Sequence, residues 1–418
     1  MADTEELKKG ESNIGGLDNR FYCRVFINGV EITPDQIMLL AIRSCIFEKT
    51  PRLELQFNDS GKMLNLFPLA DFDSIKVIIA NEKKDVNFID ATFKLNDHQI
   101  RQEGGNRKYY MYAMTAFLES KKFYFESKTR SFKDYSGSDV IDTIARDAGL
   151  NPDIRVKSAD LMTWYQINST DNQMIDHVLS RSYFAESDAI FSYADVRSNF
   201  IFTTLKTEIK KKPKFKAKYF SDDINPTDKS FDDADFVRIK NFMTKSFAGT
   251  FNKSMAYGAS IKYYDEDLEE VSIDISDVGH ELSTHSTKHK DNIETNTATK
   301  IMGIKTVNMH DNYFNAVLSN QYERFNYFPI FTEVSFEMKN QPSIVLQDET
   351  YINLFDVVDV EYVSNMSDKN KVYSGKYIIA NITHQVNANG VYIMTLVLFR
   401  NGQNYGDSLI EESAISVK

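Results

Sequence analysis

The chain has 418 residues, a formal net charge of −11, 13% aromatic residues and two cysteines. At this length it should divide into two to four domains, each with its own core. The acidic balance excludes a free nucleic-acid binder, which needs a basic surplus to displace counterions from phosphates; Cys23 and Cys45 are too few for a disulfide framework or a cysteine-rich metal site.

The N-terminus, MADTEELKKG, is polar and lacks the apolar core of a secretion signal, and no run approaches the length that crosses a bilayer. A chain made soluble in a reducing cytoplasm is expected, with segment 1–17 disordered and both thiols buried and free. Alternating segments then dominate residues 18–120, the first predicted β domain. In "RLELQFN" (52–58), Leu53, Leu55 and Phe57 share one face, Arg52, Glu54 and Gln56 the other, and Asp59-Ser60-Gly61 makes a turn. Further strands are predicted at 21–27, 74–80, 88–95 and 108–118. The 30 Phe and 22 Tyr suit such a β-rich structure.

Residues 121–212 read as an α+β module. The stretch "SGSDVIDTIARDAGL" predicts a helix from Ser138, which can accept from first-turn amides, to Gly149, with Val140, Ile141, Ile144 and Ala148 inward. A second helix is predicted over 171–185 with Met174, Ile175, Val178 and Leu179 inward. A β-hairpin follows at 189–194 and 199–204. The basic run Lys206, Lys210, Lys211, Lys212, Lys214, Lys216 and Lys218 could touch DNA or an acidic partner; a solvated linker is the favoured reading, since charge runs are usually exposed faces.

Residues 213–402 form the second predicted β domain, interrupted by a polar insertion at about 264–310. The acidic cluster Asp265, Glu266, Asp267, Glu269 and Glu270 lacks the alternation and central Gly of a calcium loop. The segment "GHELSTHSTKH" (279–289) holds three of seven histidines, yet His280 and His285 are five apart and Ser286 follows His285 where a zincin has Glu. Five residues turn roughly 140° around a helix, so the two imidazoles would not share a face. A polar surface loop is expected, without zinc. A third helix is predicted near Asp311, with Phe314, Val317, Leu318, Gln321 and Phe325 at helical spacing. No Ser/His/Asp grouping, phosphate-binding Gly loop or Cys-x-x-Cys occurs. No catalytic, cofactor-binding or metal-binding residue is therefore assigned, although sequence gives no spatial separations and leaves a carboxylate pair open. Segment 403–418 reads as a tail.

The two β domains share a grammar. "DSIKVIIA" (73–80) resembles "DVVDVEYV" (356–363), "FIDATFKLNDH" (88–98) resembles "YIIANITH" (377–384), and "YMYAMTAFL" (110–118) resembles "VYIMTLVLF" (391–399), in the same order. The alternating "TEVSFEM" (332–338) is a counterpart of an early strand. Duplication is the expectation, with His98 and His384 at equivalent strand ends.

"SGSDVIDTIARDAGL", then "STDNQMIDHVLSRSYFAESDAIFSYADVRSNFIF", then "YINLFDVVDVEYV…YSGKYIIANITHQVNANGVYIMTLVLFRNG" resembles the baseplate hub subunit of contractile-tailed bacteriophages. The sequence is also similar to the phage late-control D proteins and the hub part of type VI secretion spike proteins, over roughly residues 21–402. The resemblance implies a β-rich, multidomain α+β protein with two similar antiparallel tube-type β-barrel domains and an inserted α+β module. It also implies a structural role and no enzymatic activity: a homotrimer whose six β domains form a pseudo-sixfold ring, binding the trimeric spike protein, the tail tube protein and other baseplate proteins. Phage DNA would pass transiently, without stable membrane insertion. Its location would be the virion's tail baseplate, after assembly in the host cytoplasm. A duplicated domain lets a trimer show six near-equivalent patches on one face and three on the other. Two other classes stay open: a baseplate-associated cell-wall hydrolase and a glycan-binding attachment protein, the latter disfavoured by the single Trp164.

Overall fold

The structure is a computed structural model that describes residues 21–59, 68–81, 86–103, 109–120, 123–186, 188–221, 236–246, 259–265, 269–275, 285–286, 299–306, 308–320, 328, 330–338, 352–363 and 372–403. The segments 1–17 and 404–418, most of the polar insertion, and Gln321 and Phe325 lie outside them.

Seven strands come first: β1 (Phe21–Ile27), β2 (Val30–Ile32), β3 (Ile37–Cys45), β4 (Arg52–Asp59), β5 (Ser74–Asn81), β6 (Val86–Glu103) and β7 (Tyr109–Leu118). The β1–β2 hairpin turns at Asn28 (φ 49°) and Gly29 (φ 83°), an Asn-Gly pair suited to two successive left-handed residues. On β4, Leu53, Leu55 and Phe57 are buried as the alternation predicted.

The middle of the chain holds β8 (Ser127–Tyr135), α1 (Gly137–Asp147), β9 (Asn151–Ile154), β10 (Met162–Thr170), α2 (Asp171–Arg181), β11 (Ile190–Ala194), β12 (Asn199–Thr204) and α3 (Leu205–Ile209). Ser136, not Ser138, caps α1: its Oγ accepts from the Asp139 amide, and the Asp139 carboxylate returns the bond to the Ser136 N–H. Ser138 lies inside the first turn, buried against Ser136 and Ser158. Helix α2 buries the expected Met174, Ile175, Val178 and Leu179 but stops at Arg181, four residues early. β11 and β12 pair as the predicted hairpin, and β9 adds parallel to β12.

The third part contains β13 (Phe215–Phe220), β14 (Val237–Arg238), β15 (Asn241–Ser246), β16 (Ala259–Asp265), β17 (Glu269–Ile275), β18 (His285–Ser286), β19 (Thr299–Ile304), α4 (Tyr313–Leu318), β20 (Ile330–Glu337), β21 (Val357–Val363), β22 (Gly375–Asn387), β23 (Tyr392–Arg400) and β24 (Gly402–Gln403). Strands β17 and β19 of the insertion form a small sheet with β16, which leads into it. The Tyr263 ring of β16 stacks on Phe314 of α4 at 4.3 Å.

The two ends of the chain are built alike. The first unit runs β2-β1-β5-β6-β7-β4-β3 across its sheet, and the second β14-β13-β21-β22-β23-β20-β15. Taken in chain order, the strands of one occupy the same positions as those of the other. The first two strands break the match: β1 is antiparallel to β5, whereas β13 is parallel to β21.

The fold is a β-rich α+β structure, as expected, but among the described residues no strand pairing closes either unit into a barrel. Instead both units belong to one fourteen-stranded sheet. Strand β22 is the reason. Residues 375–378 pair with β21 of its own unit, while residues 381–387 run on and pair with β3 of the other. Buried residues of both units and of the middle module form a single core.

Candidate interaction surfaces

Register fixes which residues of the two units correspond. A bulge in β6 lies between Leu95 and Asp97, and one in β22 between Ile379 and Asn381. Each bulge leaves one residue unpaired, Asn96 and Ala380, and rotates the strand that carries it. Matching the bulges aligns Asp97 with Asn381, His98 with Ile382, and Ile100 with His384. The expected equivalence of His98 and His384 is therefore off by two residues, because matching strand ends ignored the bulge that sets the register.

The seam between the units is apolar and carries one buried histidine. His384 is 4% exposed, pairs across β3 with Ile42, and shares a 2.8 Å hydrogen bond through Nδ1 with the Tyr392 hydroxyl. Burial pulls its pKa down to about 4, so the ring is neutral at pH 7. The Phe21 ring meets Tyr392 edge-on at 5.1 Å. A cavity of about 180 Å³ lies beside them, bordered by Phe21, Cys23 and Val386. Burial pushes the Cys23 thiol up to about 12, which leaves it inert as a nucleophile.

A second, larger cavity, about 540 Å³, opens between the first unit and the start of the middle module. Its wall includes Phe72 and Phe125, each about half exposed, with ring centroids 4.8 Å apart. The Lys94–Glu119 ion pair at 3.3 Å borders it. The β8–β10 ribbon adds exposed Tyr165 and Ile167 on its outer face.

Charged groups inside the module are structural. Asp171, fully buried, accepts from Lys128 Nζ at 2.6 Å, Arg130 Nη2 at 2.8 Å and Gln166 Nε2 at 3.2 Å. Glu208, 1% exposed, accepts from Arg155, Thr203 and Lys211. The basic run is consequently divided. Lys206 lies in α3, Lys211 caps Glu208, and Lys216 and Lys218 lie on β13, where Lys218 sits 3.9 Å from Glu361.

Of the histidine segment, His285 lies on β18 opposite Gln403, and His280 and His289 are outside the described residues. Of the acidic cluster, Glu266 and Asp267 are outside them as well. Among the described residues no group of three or more His, Cys, Asp or Glu side chains could hold a metal ion. No helix among them is long and apolar enough to cross a membrane.

Sequence reasoning missed two features. One is the turn before β5 and β21, discussed below, which the Phe-Asp pairs at 72–73 and 355–356 mark. The other is the length of β6: its C-terminal half projects beyond β5, and Ile100 is 53% exposed.

No protein-family model matches the chain, and no curated protein matches it in sequence. Among solved structures it is similar to the 43 kDa tail protein of prophage MuSo2 from Shewanella oneidensis. That similarity has a TM-score of 0.57 at 10% identity and covers 91% of this chain and 99% of that one. It is also similar to the tail protein from Neisseria meningitidis MC58, with a TM-score of 0.55 at 8% identity, covering 92% of this chain and 98% of that one. At such identities the likeness establishes a shared fold along nearly the whole chain.

Proposed function

We propose that this chain is a structural subunit of a phage-type tail, acting at the baseplate hub. Three copies form a ring of six tube-type β units that joins the tail tube to a trimeric spike and leaves a channel for DNA. The observation that carries this reading is the pair of seven-stranded units with one strand order in a single chain. Such a chain presents a threefold face through its whole subunits and a sixfold face through its repeated ones. The fold shared with two tail proteins supports the tail setting. The virion baseplate is the location that follows, and the role needs no catalytic group.

The test is stoichiometry. Native mass spectrometry of the chain co-purified with a trimeric spike protein of the same tail should give three chains per spike trimer. One or six chains per spike would overturn the symmetry-adapter reading.

A further inference from the structure

The outer faces of the two units carry matching rows of aromatic rings, and one row is a ring short. Register gives the correspondence. The Phe72 N–H donates to the Leu95 carbonyl and the Phe355 N–H to that of Ile379, while Lys94 pairs with Phe117 and Ile378 with Phe399. Phe117 and Phe399 are therefore equivalent, as are Phe72 and Phe355. In the second unit a row runs from Phe399 through Phe328 and Phe191 to Phe355, with centroids 5.0, 6.3 and 4.9 Å apart. In the first it runs from Phe117 through Tyr124 and Phe125 to Phe72, at 4.7, 6.2 and 4.8 Å. The middle rings come from different parts of the chain: Phe191 from β11 and Phe328 from the approach to β20, but Tyr124 and Phe125 from the segment after β7. Unrelated segments supply the same cover, as expected when the surface itself selects rings.

The second unit adds a fifth ring. Tyr193, two residues beyond Phe191 on β11, tilts over Phe355 at 5.7 Å and donates its hydroxyl to the Leu354 carbonyl at 3.0 Å. Both rings are fully buried. The first unit has the surface for such a ring. Asp71 holds the place of Leu354, and its carbonyl accepts no hydrogen bond among the described residues. Phe72, next in the chain, borders the cavity of about 540 Å³ together with Phe125, and both are 49% exposed. Segments 60–67 and 121–122, which adjoin the walls of the cavity in sequence, contain no tyrosine.

We infer that this cavity binds a tyrosine side chain presented by an extended segment of another protein, its ring over Phe72 and its hydroxyl donating to the Asp71 carbonyl. The β11 contact within the chain is the template. A second copy of the chain cannot offer β11, because Tyr193 is already seated on Phe355. Tyrosine suits the place: its ring covers apolar surface on Phe72 and Phe125, and its hydroxyl supplies the donor that phenylalanine lacks. The cavity adjoins the contact that Tyr124 and Phe125 already make with Phe117 and Phe72, so an incoming ring extends an interface the chain has begun. The site follows from the two units and is independent of the ring of three chains.

The probe is the acetylated and amidated tripeptide Ser-Tyr-Ala, residues 192–194 of β11, titrated into the full chain and followed by saturation-transfer NMR. Saturable binding in the millimolar range is expected for so small a ligand. The Ser-Phe-Ala analogue should bind about fivefold more weakly, the worth of one hydrogen bond. Phe72→Ala and Phe125→Ala, both at half-exposed positions, should each weaken binding about tenfold and leave the circular dichroism unchanged. Met243→Ala, exposed on β15, should bind as the parent does.

No saturable binding, equal binding of the two peptides, or binding indifferent to Phe72→Ala and Phe125→Ala overturns the tyrosine site. Sedimentation showing self-association of the parent chain that both variants abolish would give the cavity to a second copy and overturn the assignment to another protein.

Discussion

Phe72 and Phe355 adopt the same left-handed backbone conformation, φ 66° in each, at the same point of the two β units. The turn around each is bonded alike. The Asp73 carboxylate accepts from the Ala70 amide and that of Asp356 from the Asn353 amide, both at 2.8 Å. The Phe72 N–H donates to the Leu95 carbonyl, the Phe355 N–H to that of Ile379. Their surroundings differ. Phe355 is fully buried against Phe191 at 4.9 Å and Tyr193 at 5.7 Å, whereas Phe72 is half exposed. Replacing Phe355 with Ala should cost about 3–5 kcal/mol, the range for a buried Phe. Replacing Phe72 with Ala should cost about 1 kcal/mol or less, since only an edge-on ring contact is lost. Chemical denaturation of the two variants checks the contrast; equal losses would show that the two turns carry the same load.

The seam should weaken in acid. His384 has an ordinary pKa of 6.5 unfolded and about 4 folded, so the unfolded chain binds the extra proton between those values. Its stabilisation is fully present above about pH 6.5 and is lost as the pH falls toward 4, by an amount on the order of 3 kcal/mol. His177, whose pKa burial and Arg181 also lower to about 4, acts in the same direction. The variant His384→Phe should have a flatter stability profile between pH 7 and 4. A slope identical to the parent's would remove His384 from the account.

Asp171 joins β8 and β10 to α2 by holding Lys128, Arg130 and Gln166 together. Asp171→Ala leaves Lys128 partly buried without its counter-charge and Arg130 with Asp147 as its remaining partner, and should cost about 3–5 kcal/mol. Hydrogen exchange should show the loss first in α2 and the β8–β10 ribbon.

Gly137 opens α1, where Ala would ordinarily be the better helix former. Here an added Cβ would stand 1.9 Å from Ser182 Oγ and 2.9 Å from Asp160 Oδ2. Asp160 is itself held by the Gly137 and Tyr183 amides. Gly137→Ala should lower the melting temperature, by about 1–3 kcal/mol of lost stability, as expected for overpacking. In a Ser182→Ala background the loss should shrink, because the nearest clashing atom is gone.

The amino-acid pattern by itself determined the strand at 52–58 and the helix that starts at 171. Alternation along 52–58 and helical spacing along 171–179 record which side of each element meets the core, and that preference is local. The matching order of three strand pairs signalled the repeated strand order for the same reason. Tertiary structure decided what local preference cannot carry. The partner of β22 beyond residue 378 lies more than three hundred residues away on β3, so nothing near it in the chain could announce the shared sheet. The register of His98 depends on a bulge at Asn96, which shows only when β7 is laid beside β6. Phe72 and Phe355 each precede an Asp in the same turn, yet Phe355 is core and Phe72 surface. Burial is a property of what packs against a side chain: Phe355 lies under Phe191 and Tyr193 of the β11–β12 hairpin, whereas Phe72 meets the half-exposed Phe125.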